Sequence, residues 1–268
     1  MAIIITNTVG EAYNRFFKNR TLLAIGFIGA LISLALSLVI NYLFAPFVDI
    51  QGSPSAIMML LSSPMFWAEL VAAVVVFGLI EIFVSGVFIS AVVEGDNARI
   101  GSAARNAASR YVSLVGTCIA CAAVSFLSMV PATAVFILLV SVGSSASVPV
   151  VLIMALIAVV LVIIPIYVSM RLYLSDVFCV VGGKSAIASV RESWSTMKGN
   201  LWQILGITLA IGLIEVLIGM PVTLFINKSL GQFVELLLSY PTVVAIVMVY
   251  MQLTGAPRRK VGGRAKKV

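Results

Sequence analysis

Six apolar runs divide the chain, each long enough at about 20 residues or more to cross a bilayer as a helix. Two of them read LLAIGFIGALISLALSLVI and VLIMALIAVVLVIIPIYV. Neither alternates apolar and polar positions, as a membrane β-strand would. The pattern predicts spans at 21–46, 66–93, 112–140, 150–178, 201–226 and 232–254. Several exceed the length required, so tilting or extension beyond the bilayer is expected. The first run is longer than the roughly 7–15 residues of a signal-peptide core. It reads as a retained span.

The polar positions gather into three lead-ins with helical periodicity. In the first, Ile5, Val9, Ala12 and Phe16 form a stripe opposite Glu11, Arg15 and Lys18. In the second, Ile100, Ala104, Ala107 and Tyr111 lie opposite Arg99, Ser102, Arg105 and Ser109. In the third, Ile187, Val190, Trp194, Met197 and Leu201 lie opposite Lys184, Arg191, Glu192 and Lys198. Short basic helices of this kind lie along a membrane interface.

A spacing of 90 residues relates the three stretches. Gly26, Gly116 and Gly206 each precede an alanine by four residues: Ala30, Ala120 and Ala210. Small residues one turn apart let helix backbones approach closely in lipid. Pro131 also matches Pro221, Arg15 matches Arg105, and Arg20 matches Arg110. The fold class expected is all-α: a polytopic membrane protein of six transmembrane helices in three hairpin repeats. Each hairpin follows a cytoplasmic interfacial amphipathic helix. One domain, 1–255, holds the repeats at about 3–64, 94–149 and 184–255, and 256–268 is a basic, disordered tail.

Composition agrees with this picture. The chain is 62% hydrophobic and 10% charged, with a mean hydropathy of +1.17. Soluble domains carry about 25% charged residues. Of the 17 Lys and Arg residues, only Lys228 falls on the second side of the expected topology. The positive-inside rule then puts both termini in the cytoplasm. The connections 47–64 and 141–149 contain no Lys or Arg. The tail RRKVGGRAKKV reads as a topology anchor; with no folded basic groove or aromatic platform beside it, no nucleic acid is expected as a partner.

The stretch RLYLSDVFCVVGGKSAIASVRESWSTMKGNLWQILG carries a family resemblance. A span ends in Arg171-Leu172 and is followed by Asp176. Then come Gly182-Gly183, an amphipathic helix with Ser193-Trp194, Lys198-Gly199, and the next span. This resembles the six-helix membrane domain of prokaryotes sometimes joined to glycerophosphoryl diester phosphodiesterases. That family includes uncharacterised stand-alone relatives, some of them archaeal. The resemblance implies an architecture. It does not imply phosphodiesterase activity, because the chain shows no soluble catalytic domain.

The chain has no histidine, which removes the commonest general base and metal ligand. Cys118, Cys121 and Cys179 lie in apolar surroundings; Cys118 and Cys121 form a CxxC and read as small packing residues. No catalytic residue, metal or cofactor is expected, and there is no GxSxG, HExxH or paired-aspartate motif. Glu81 and Glu215 fall roughly 18–21 Å into their spans, near the midplane. A charge there costs about 2.5–3.5 kcal/mol on insertion scales. Two readings stand for them: a proton- or ion-linked site, and protonated groups bonding helix to helix. Arg171 reads as a snorkelling arginine or one paired with Asp176 or Glu81; a phosphate-binding role is the other reading.

Candidate lipid-headgroup contacts are Arg191, Trp194, Lys198, Trp202, Arg105 and Arg110. The expected function is a non-enzymatic module in the cell membrane that organises lipids, or a membrane or peripheral protein partner. The alternative is a transporter or lipid-moving protein with a midplane carboxylate site. Convergence of Glu81 and Glu215 on one polar chamber would favour that alternative.

Overall fold

A computed structural model describes residues 5–49, 62–142 and 147–255. The described residues form helices, with no strand among them. In chain order these are α1 (Ile5–Lys18), α2 (Arg20–Asp49), α3 (Pro64–Glu94), α4 (Ile100–Val142), α5 (Val148–Leu172), α6 (Ser175–Val180), α7 (Ala186–Thr196), α8 (Leu201–Phe225) and α9 (Lys228–Thr254). Six stretches within them are long and apolar enough to cross a membrane. The expected tail at 256–268 lies outside the described residues.

Local chemistry explains most boundaries. Asn19 separates α1 from α2: its Oδ1 accepts from the N–H groups of Thr21 (2.9 Å) and Leu22 (3.2 Å). Ser63 and Asn227 cap α3 and α9 in the same way, and Pro64 begins α3. Gly183 holds φ at +65° in the turn after α6, a conformation that other residues rarely adopt. The second lead-in differs from expectation. It is not a separate helix but the opening turns of the continuous 43-residue α4. No cap, proline or glycine turn interrupts residues 102–115, so the helix runs straight through.

The lead-ins also present different faces from those the sequence predicts. Val9, Ala12 and Phe16 of α1 are buried as expected. On α4 the buried positions are Ala103, Ala107, Leu114 and Thr117, so the stripe sits at Ala103 and not Ala104. On α7 the buried residues are Ser189 and Ser193, while Ile187 is 78% exposed. Small residues allow the close approach here; of the expected stripe, Met197 is buried while Ile187 and Trp194 face outward.

The chain divides into two compact units. One comprises the residues up to Tyr111 together with those from Ile207 onward; the other is Val112–Gly206. In the first, α2, α3 and α9 pack together and α1 lies against α9. Phe16, Phe88 and Tyr240 form an aromatic cluster, with ring centroids 4.9–6.4 Å apart. Asn19 donates to the Gly95 carbonyl (2.9 Å) and Thr21 to the Ala98 carbonyl (3.0 Å), tying the start of α2 to the turn after α3. In the second unit, α6 and α7 pack together against the end of α5.

Candidate functional site

Helices α2, α3 and α9 of the first unit form a half-open cavity of about 200 Å³ near the middle of their lengths. Glu81 lines it, together with Ser33, Ser85, Ser239 and Tyr240. Apolar walls come from Ile32, Val84, Leu236 and Val243. The Ser33 hydroxyl donates to Glu81 Oε1 at 2.7 Å. Ser239 donates to the carbonyl of Leu236 at 2.7 Å. Gly29 makes space at the rim: a Cβ there would lie 2.6 Å from Tyr240 Cζ.

Glu215 sits elsewhere, in the contact between α8 and α9. Its carboxylate lies near Thr242, Glu235 and Tyr13. Gly219, one turn on, receives the Glu235 side chain, and Gly231 receives Thr223. These pairings are in register for an antiparallel hairpin. Glu235 and Thr242 share one face of α9, while Leu236, Tyr240 and Val243 share the neighbouring face that meets the Glu81 cavity. The two carboxylates thus have different partners, and Glu215 does not line the cavity. Tyr13 reaches this region from α1 with a buried hydroxyl that has no hydrogen-bond partner. Burial, with the Glu215 carboxylate nearby, pushes its phenol up to about 12.

Arg171 is buried at the end of α5 in the second unit. Its Nε donates to the Tyr167 hydroxyl (3.0 Å) and its Nη1 to the Trp194 carbonyl (2.7 Å); Nη2 also donates to the Tyr167 hydroxyl. The guanidinium carbon lies 5.0 Å from the Tyr167 ring centre and 5.4 Å from that of Trp194. Its partners are therefore two aromatic faces and two oxygens, and not Asp176 or Glu81, the pairing that is one of its readings from sequence. Ser193 completes the clamp. It donates to the Arg171 carbonyl (2.7 Å) and accepts from the Leu174 N–H (3.1 Å).

Beyond this clamp, Arg191, Trp194, Lys198 and Trp202 are exposed along α7 and the start of α8. Glu192 of the same helix pairs with Lys184 at 2.7 Å. Arg105 and Arg110 are exposed on α4. Of the packing positions, Gly26 lies against Phe16 and Tyr240, and Ala30 is fully buried. Gly116 faces Ala186, whereas Ala120, Gly206 and Ala210 are half-buried.

One grouping escaped the sequence reading. Cys118 lies 3.9 Å from Asp176, with Cys121 and Cys179 in its electrostatic surroundings. Two motifs of equal spacing, Cys118-x-x-Cys121 and Asp176-x-x-Cys179, place each pair one helical turn apart. That shared spacing was the available signal. Among the described residues, no group of His, Cys, Asp and Glu is arranged to hold a metal ion.

These features define an all-helical protein with six helices suited to spanning a membrane, carrying buried polar contacts and cationic aromatic helix ends. The chain belongs to a family described as a domain of unknown function (DUF7847), whose model matches residues 3–256. No curated protein and no solved structure matches it.

Proposed function

We propose that this protein is a non-enzymatic module of the cell membrane that gathers anionic lipids, and through them a protein partner, at its cytoplasmic face. The observation that carries this reading is the α7–α8 junction. Arg191, Trp194, Lys198 and Trp202 stand exposed there, and the Trp194 backbone is held by the buried Arg171. Exposed cations beside tryptophans suit the headgroup region, where aromatic rings settle and each basic residue contributes about 1 kcal/mol towards anionic lipid.

A three-hairpin repeat is part of the proposal. Position-by-position agreement between 111–120 and 201–210 supports it. Val112 and Trp202 are 85% and 83% exposed, Ile119 and Leu209 are 65% and 63% exposed, and Leu114, Thr117, Ile204 and Ile207 are buried. Both termini are assigned to the cytoplasm from the distribution of Lys and Arg. The resemblance to phosphodiesterase-linked membrane domains is retained as a likeness of layout. Transport through a paired Glu81–Glu215 site finds no support in their separate partners.

Native mass spectrometry tests the lipid reading. Protein equilibrated with mixed phosphatidylglycerol and phosphatidylcholine is expected to retain the anionic lipid preferentially. The double variant Arg191→Gln, Lys198→Gln should weaken that retention by about tenfold or more, from two lost contacts of about 1 kcal/mol each. Equal retention by the wild-type and double-variant proteins would refute the assignment.

A further inference from the structure

The Glu81 cavity is polar only along part of its wall, where one carboxylate meets the hydroxyls of Ser33, Ser85, Ser239 and Tyr240. Ser33 gives its proton to Glu81, and Ser239 gives its proton to the Leu236 carbonyl. Both hydroxyls are thereby left as acceptors, beside a carboxylate that is an acceptor when ionised. The Ser85 and Tyr240 hydroxyls can turn to donate or accept, but Glu81 is the one acidic group in the lining and no basic group joins it, so the space favours a donor or a cation over an anion. The remaining wall is aliphatic, with the Tyr240 side chain at one side. A cation with an apolar body satisfies both parts. The volume supports this choice over a bare metal ion. About 200 Å³ would hold roughly six waters at about 30 Å³ each, whereas an alkali ion needs oxygens closed tightly around it.

We propose that this cavity is a binding site for a membrane-soluble primary ammonium compound. The ammonium would sit against Glu81, with Ser33 and Ser239 as acceptors, and the apolar body among Ile32, Val84, Leu236 and Val243. Setting a cation beside the carboxylate removes the cost of an isolated charge at mid-membrane depth. The site lies within α2, α3 and α9 of one unit. It does not depend on the lipid contacts of α7 and α8, so either reading can fail alone.

The probe is 2-phenylethylammonium, with 2-phenylethanol as its uncharged counterpart, titrated by calorimetry into the full-length protein in lipid nanodiscs. Empty nanodiscs supply the partition baseline. Saturable binding of the ammonium is expected, with the alcohol at least tenfold weaker. Glu81→Gln should weaken the ammonium at least tenfold. Glu69→Gln, an exposed carboxylate on the same helix, should leave it unchanged. If Glu81→Gln does not fold, Ser85→Leu narrows the cavity beside the carboxylate while keeping it, and should weaken binding at least tenfold. Equal affinity for amine and alcohol, binding unaffected by Glu81→Gln or Ser85→Leu, or displacement of the amine by millimolar sodium would each overturn the proposal.

Discussion

A buried arginine with no carboxylate against it is the most constrained residue in this protein. Arg171 instead meets the faces of Tyr167 and Trp194, the Tyr167 hydroxyl and the Trp194 carbonyl. Aromatic faces and carbonyl dipoles stabilise the cation without desolvating a second ion, the step that makes buried salt bridges expensive. This geometry requires a planar fork. Arg171→Lys keeps the charge but cannot reach both oxygens while lying over two rings. It is expected to lower stability by about 1.5–3 kcal/mol, read as a fall in the thermal midpoint in detergent; an unchanged midpoint would show that charge alone matters. Ser193→Ala removes the partner of a buried carbonyl and a buried N–H together. A loss of about 1–3 kcal/mol in the same assay is expected. Arg171 and Trp194 were both visible in the sequence as notable residues. Their union was not, because 23 positions and a glycine turn separate them. Ser193 stood in the resembling motif but gave no sign of this buried role, since a serine in an amphipathic helix usually faces water.

At the scale of the element, glycines sort by what faces them. A Cβ on Gly231 would lie 2.6 Å from the backbone N and Cα of Thr223. Backbone cannot rotate away, so α8 and α9 would have to separate. Gly231→Ala is expected to cost about 1–3 kcal/mol as overpacking. Gly219 faces only the flexible Glu235 side chain, which can swing aside, so Gly219→Ala should stay within about 1 kcal/mol. Gly78 has no neighbour within 4 Å; Gly78→Ala should raise the midpoint, by up to about 1 kcal/mol in stability. Thermal unfolding of the three variants checks this order, and an equal loss in all three would show that close packing is not what the glycines provide. The six spans were legible because apolar length alone marks them. The faces were less so. The α7 stripe of Ile187 and Trp194 was readable as apolar. In lipid, however, apolarity does not indicate which side meets protein, and the small Ser189–Ser193 face makes the contact. The Gly26–Ala30 pairing was readable for the same reason: size, not hydropathy, carries the information.

At the scale of the whole molecule, the boundaries between the two units fall at Tyr111/Val112 and Gly206/Ile207, inside α4 and α8. A continuous helix leaves no Pro, Gly or Ser-rich linker, so composition could not mark them. Orientation rests on charge alone. Arg15, Lys18, Arg20, Arg99, Arg105 and Arg110 lie at or near the helix ends assigned to the cytoplasm, while the N-terminal end of α5 has no basic residue within 141–149. Gly101 and Ser147 sample the two sides. Gly101 is exposed with open space at its Cβ, and Ser147 is exposed and makes no capping bond through its side chain. Cysteine at either position should therefore leave the fold intact. In a background with Cys118, Cys121 and Cys179 replaced by alanine, a membrane-impermeant maleimide applied to intact cells is expected to label Ser147→Cys and spare Gly101→Cys. After lysis both should react. The reverse pattern would place the basic ends outside, and with them the α7–α8 junction, leaving the proposed headgroup contacts facing the wrong leaflet.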